Sequence, residues 1–241
     1  MATISPANLS TPRPSTSGER VPPLEQGDRL GRSEFFRRYA AMPPNIKAER
    51  IAGMVHMAAA AHSSAFHGQP HAALIGWLFT YWAATPGVVV SDNSTVLLDF
   101  DNDPQPDAFV RILPTHGGRT TLTPEGYVQG PPELIVEVAA SSVSFDLGSK
   151  LHAYRRNGVS EYLVYRAYDE QFDWFVLRDG QYERHLADAQ NIYRSQAFPG
   201  LWLKADAFVA GQLTELLSVL RTGLASPEHE DFVRKLAGQQ G

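Results

Sequence analysis

The run PELIVEVAASSVSFDLGSKLHAYRRNGVSEYLVY, residues 132–165, restricts the fold of this chain more than any other stretch. ELIVEVA and EYLVYRA read as short extended segments, and the piece between them, about Ser144 to Asn157, has helical spacing. Alternation along the first strand puts Glu133, Ile135, Glu137 and Ala139 on one face. Leu134, Val136 and Val138 form a wholly apolar opposite face. A glutamate in mid-strand is costly unless it is paired or binds a metal. On the helix, at about 100° per residue, Leu147, Leu151 and Tyr154 share an apolar face with Asp146 and Lys150 at its edge, while Ser149, His152 and Arg156 point elsewhere. Gly158 is placed to end that helix as its C′ residue.

Other elements follow from the same patterns. SEFFRRYAAMPP reads as a short helix capped by Ser33 and stopped by Pro43 and Pro44, and RIAGMVHMAA as a strand with a glycine turn. In QPHAALIGWLFTYWAAT, Pro70 falls in a first helical turn, and Leu74, Trp77, Leu78 and Tyr81 recur at helical spacing, which predicts a buried helix. GVVV, STVLLDF, PDAFVRIL and FDWFVLRDG read as strands, and GQLTELLSVLRTGL as a terminal amphipathic helix. No internal repeat is present. Strands before and after a single helix predict an α+β or mixed α/β sandwich.

With 241 residues, 43% of them hydrophobic, the chain suits one globular domain. Residues 1–30 are rich in Ser, Thr and Pro without apolar periodicity and are expected to be a disordered extension. The sequence has no run of eighteen apolar residues and no basic stretch followed by an apolar one, so neither a membrane span nor a secretory signal is expected, and the reading is a cytoplasmic protein. Lack of cysteine excludes disulfides, thiolate catalysis and Cys-type zinc sites, leaving Asp, Glu and His as metal ligands. A net charge of −5 argues against a surface coated with phosphate-binding lysines, but a local groove or a bound cation still suits an anionic substrate.

PDAFVRIL places Asp107 at a strand entry, on the face of Phe109 and Arg111 and opposite Ala108, Val110 and Ile112. Two carboxylates from neighbouring strands suit a hard cation such as Mg²⁺, and a nearby lysine would complete a site for phosphodiester hydrolysis. Residue chemistry equally allows Glu137 to pair with Lys150 or Arg111. His67 and His71 lie four apart in FHGQPH, but Pro70 breaks the helical spacing and a zinc site needs further ligands. Glu133 is accounted for by a strand entry, and Asp146 by an i,i+4 contact with Lys150.

The strings PQPDAF, PELIVEVAASS, DLGSK, YRRNGVSEYLVY and FPGLWL resemble the Uma-type restriction endonucleases, a bacterial branch of the PD-(D/E)XK nuclease superfamily, from about Glu49 to Leu203. The resemblance implies a restriction-endonuclease-like core, a central mixed β-sheet flanked by helices, over residues 31–225, with 226–241 left as a tail. Asp107 then takes the PD position and Glu137 the D/E position. An E-x-K motif would place lysine at 139, where this chain has Ala139, and the branch supplies it from the following helix as Lys150. Glu49 and Gly53 match an early E-x-x-x-G pattern that makes Glu49 a further metal ligand; a surface glutamate beside Arg50 is the other reading. The implied activity is Mg²⁺-dependent hydrolysis of DNA by an endonuclease, with Mn²⁺ able to substitute. A catalytically inactive nuclease fold that binds nucleic acid or protein is the alternative, and a hydrolase of non-nucleic phosphate esters is another. A homo-oligomer is compatible with the sequence.

Overall fold

The computed structural model describes residues 20–57 and 63–239. Helix α1 (Arg32–Tyr39) leads to a hairpin of β1 (Ala48–Ile51) and β2 (Met54–Met57), and then to α2 (Gln69–Ala84). Three strands follow, β3 (Val88–Asp92), β4 (Ala108–Ile112) and β5 (Leu134–Ala139). A helical stretch ending in α3 (Leu151–Arg156) connects to β6 (Glu161–Arg166), β7 (Gln171–Arg178) and β8 (Gln181–His185), and the chain closes with α4 (Leu213–Leu224) and α5 (Pro227–Ala237).

Six strands form one sheet in the order β8-β7-β6-β5-β4-β3, so each lies beside its neighbours in sequence. All pairs are antiparallel except β5 and β6. Antiparallel strands can be joined by tight turns, as Asp179-Gly180 does at positive φ between β7 and β8, whereas a parallel pair needs a crossover. Residues 143–156 are that crossover. They also explain why β5 is buried at every position, with one face under helices and the other under the crossover itself.

The face carrying Val110, Leu134, Val136, Val138 and Leu163 packs on α2 and the C-terminal helices. There Leu74, Trp77, Leu78 and Tyr81 are buried as their spacing predicts, each contributing about 1.5–3 kcal/mol of apolar burial. Trp77 Nε1 donates to Trp202 O and Tyr81 OH to Pro199 O, which ties α2 to residues 199–202. The opposite face, with Phe109, Ile135, Ala139, Tyr162 and Val164, packs on Tyr154 of the crossover. The result is a central mixed sheet between helices.

Four expectations are corrected. Helix α1 begins after Gly31 rather than Ser33, which lies inside its first turn, and Gly31 makes no side-chain cap. Residues 1–19 lie outside the described residues, but the last part of the expected extension is packed. Leu24 is 3% exposed, Arg29 bridges Met54, and Gly27 N–H and Leu30 N–H donate to Val55 O and Gly53 O. Arg50 and Arg32 both reach Asp103, tying this segment to the β1–β2 hairpin. STVLLDF shrinks to Val96–Leu97, in a small sheet with Thr121–Leu122 and Val128–Gln129. The expected C-terminal tail holds α5, capped by Ser226 and started by Pro227, because Phe232 and Leu236 supply an apolar stripe that packs on the core.

Candidate functional site

Antiparallel register places Ala108 opposite Val136 and Val110 opposite Leu134, so the next residue out, Asp107, comes opposite Glu137 on the same face. The two side chains lock to each other's backbone. Asp107 N–H donates to Glu137 Oε2 at 3.3 Å, and Val138 N–H donates to Asp107 Oδ2 at 2.8 Å. Alternation assigned each carboxylate to a face of its own strand; the register between the strands supplied the juxtaposition.

Lys150 reaches the same point from the crossover. Its Nζ lies 2.9 Å from Glu137 Oε1, 3.0 Å from Glu49 Oε1 and 3.5 Å from Asp146 Oδ1. The helix that carries it is not a plain α-helix: Leu151 N–H bonds to Asp146 O, an i→i+5 turn spanning Asp146–Lys150. Such a π-turn changes the phase of the helical wheel, and π-turns occur often at functional sites. Asp146 and Lys150, expected at the edge of the apolar face, are therefore 3% and 4% exposed. Asp146 still makes the expected i,i+4 contact, but as part of a buried cluster. Tyr154, one turn on, donates its OH to Glu137 Oε1 at 3.0 Å.

Glu49, on the β1–β2 hairpin, accepts Gln105 N–H on Oε2, which leaves Oε1 for Lys150. It is not a surface glutamate paired with Arg50, whose guanidinium is spent on Asp103. His67, a zinc-ligand candidate in the sequence, sits beside Asp107. Its Nε2 lies 3.4 Å from Asp107 Oδ1, whereas His71 Nε2 lies 3.1 Å from Asp92 Oδ1 and 3.2 Å from Asp107 O. No local pattern in FHGQPH marks His67 as a partner of Asp107, because the contact joins segments forty residues apart.

These groups line a cavity of about 550 Å³ that contains Glu49, Asp107, Glu137, Asp146, Lys150 and His67. Burial pushes the Glu137, Glu49 and Asp146 carboxyls above the usual carboxylate range, against the pull of the Lys150 ammonium. For Lys150, burial would favour the neutral amine, but Glu137, Glu49 and Asp146 outweigh it and hold the ammonium charged. Burial likewise opposes ionisation of Asp107, yet His67 and the Val138 N–H keep it ionised, below the usual range. Asp107 in turn raises the His67 imidazole.

Burial of a glutamate does not by itself make a site. Glu161 is fully buried, but its carboxylate accepts from the Gln196 and Ala197 N–H groups, Ser195 Oγ and Trp174 Nε1. Those donors tie down the segment before Phe198. Glu133 accepts Ile112 N–H at 2.8 Å, as a strand-entry residue does. At the cavity, by contrast, the acidic side chains Glu49, Asp107, Glu137 and Asp146 share one lining with Lys47, Lys150, His56 and His67.

That donor set fits a hard divalent cation in kind: carboxylate oxygens of Asp107, Glu137 and Glu49 reach one cavity, and their excess negative charge is what such an ion offsets. Among the described residues no three carboxylate or imidazole side chains already surround a common point as a metal cage does. Glu49, Glu137 and Asp146 are instead turned onto Lys150. Among the described residues no helix is long and apolar enough to cross a membrane.

Comparison with known proteins adds three findings. A family described as "Uma2: Putative restriction endonuclease" matches residues 32–206, well over half of the chain. Among solved structures, the chain is similar to a putative nuclease belonging to DUF820 from Anabaena variabilis, at a TM-score of 0.53 and 10% identity, over 76% of this chain and 97% of that one. No curated protein matches.

Proposed function

Because the chain belongs to the Uma2 family of putative restriction endonucleases, we propose that it is an endonuclease hydrolysing DNA phosphodiester bonds with Mg²⁺, for which Mn²⁺ substitutes, in the cytoplasm. The observation that carries this reading is the convergence of Asp107, Glu137, Glu49 and Lys150 on one cavity from a strand entry, a strand interior, a hairpin and the crossover. Asp107 and Glu137 would hold the ion, with Glu49 as a further oxygen ligand. When bound, the ion supplies positive charge to the scissile phosphate and lowers the pKa of water.

The chain's own groups do the rest. His67 and the Val138 N–H keep Asp107 ionised, so an oxygen donor stands ready at the strand entry. Tyr154 and the Asp107 N–H fix both oxygens of Glu137. Lys150 keeps its charge where an incoming phosphate oxygen or attacking water would lie, and its N–H groups orient either. Water oxygen bonds to phosphorus as the P–O bond to the leaving sugar oxygen breaks. The lysine does not come from the E-x-K position, where Ala139 is buried against the crossover. A helix-borne lysine reaching Glu137 Oε1 at 2.9 Å takes over that place.

The test is nicking of supercoiled plasmid with Mg²⁺ or Mn²⁺, using Glu137→Gln protein purified in parallel. The expected result is metal-dependent nicking that falls by about 10²-fold or more in the variant, as for loss of one group from a preorganised site. Nicking by Glu137→Gln at the parent rate would refute the reading. DNA binding without nicking by either protein would favour the inactive binding module.

A further inference from the structure

Tyr168 sits in the turn between β6 and β7 and is 61% exposed, and Phe66, in the turn before α2, is 43% exposed. Their rings lie 4.7 Å apart between centroids at 54°. Single exposed apolar residues are ordinary, but this pair joins two separate elements, and Tyr168 lines the same cavity as Asp107, Glu137 and Lys150. An aromatic ring held out of the core at a hairpin turn contributes little to folding, since it buries little apolar area.

The reacting groups lie deep. Glu137 and Lys150 are almost fully buried in the lining of a cavity of about 550 Å³. A nucleotide turned out of its stack brings a phosphate to such buried groups, and its exposed base then needs a surface on which to stack. Aromatic side chains provide one for any base, without regard to sequence.

Building on the nuclease reading, we propose that Tyr168 and Phe66 form a stacking platform for an unpaired base at the cavity mouth, so that the strand to be cut enters single-stranded or from a frayed end. Tyr168 carries the contact and Phe66 supports its ring.

The experiment compares a fluorescein-labelled oligonucleotide as a single strand and as the blunt duplex of the same sequence. Affinity is read by anisotropy in EDTA, and cleavage with Mg²⁺ as separate kcat and KM. The expected result is tighter binding and faster cleavage of the single strand. Tyr168→Ala and Tyr168→Leu should weaken single-strand binding about tenfold, through KM rather than kcat, while Tyr168→Trp retains the parent affinity. Equal use of both DNA forms overturns the inference, and so does an unchanged Tyr168→Ala. Parent-like behaviour of Tyr168→Leu overturns it too, because an apolar contact, such as a protein partner would make, needs no ring. If no DNA form is cleaved, the nuclease reading falls; if duplex is cleaved at a rate indifferent to Tyr168, the stacking platform alone falls.

Discussion

Replacing Lys150 with methionine keeps most of its length and removes its charge. In the folded protein Nζ has carboxylate oxygens at 2.9, 3.0 and 3.5 Å, from Glu137, Glu49 and Asp146, and the side chain is buried. Were Lys150 only an exposed i,i+4 partner of Asp146, its loss would cost about 0.3–0.5 kcal/mol. Leaving three buried carboxylates without their ammonium is a different case, and breaking a buried pair from one side costs about 3–5 kcal/mol. At roughly 2–4 °C per kcal/mol for a chain of this size, that is a fall in Tm of about 6–20 °C at pH 7. The pH dependence has a definite sign. Burial already raises the Glu137, Glu49 and Asp146 carboxyls above their usual values, and without Lys150 nothing opposes it. An acid raised on folding is most favourable below its unfolded pKa, near 4.5 for glutamate, and loses that stability as pH rises through the folded value. The deficit of Lys150→Met should therefore be greatest at pH 7 and shrink towards pH 5. Differential scanning calorimetry at both pH values, with and without Mg²⁺, measures it, and added Mg²⁺ should recover part of the loss by replacing the missing charge. A loss under about 1 kcal/mol at pH 7, or a deficit that grows on acidification, would refute the assignment of Lys150 as the counter-charge of the cluster.

Asp107→Asn should abolish any Mg²⁺-induced rise in Tm and cut plasmid nicking by about 10²-fold or more, because the ion binds the folded site and not the unfolded chain; a Tm gain equal to that of the parent would place the ion elsewhere. His229 is buried between Leu224 O and Thr85 Oγ1, and burial holds its imidazole below 6.5 despite the Leu224 carbonyl. Its neutral form therefore contributes stability above the unfolded pKa that is lost as pH falls through the folded one, so urea midpoints should drop below about pH 6.5, and less so in His229→Gln. Alanine normally favours a helix over glycine by about 1 kcal/mol, but at Gly223 in α4 the added Cβ would lie 2.3 Å from Gly200 O and 2.8 Å from the Trp202 ring. Gly223→Ala should instead destabilise by about 1–3 kcal/mol in chemical denaturation, as overpacking does.

Within several elements, the chain's own pattern was enough. Period-two alternation put Asp107 with Phe109 and Glu137 with Ile135, and the two apolar faces of β5 fall in the two separate cores as alternation requires. Helical spacing found the buried face of α2, and Gly158 ends the crossover at φ 80°. These features depend on backbone geometry that repeats over a few residues, so composition and spacing carry them. What lies between elements was not legible. A 100° wheel assumes i→i+4 bonding, and the i→i+5 turn at Asp146–Lys150 turned both side chains inward, making a buried charge cluster of what read as a helix edge. The contacts of Glu49 with Lys150 and of His67 with Asp107 close loops of about a hundred and of forty residues, and nothing local to either segment encodes them. Leu24 has no pattern of its own and is held by a core made elsewhere in the chain, whereas α5 carries its own cap and apolar stripe. The carboxylates could be named one by one from the sequence, but only packing brought them around a single lysine, because electrostatic energy depends on distances that the chain sets by folding.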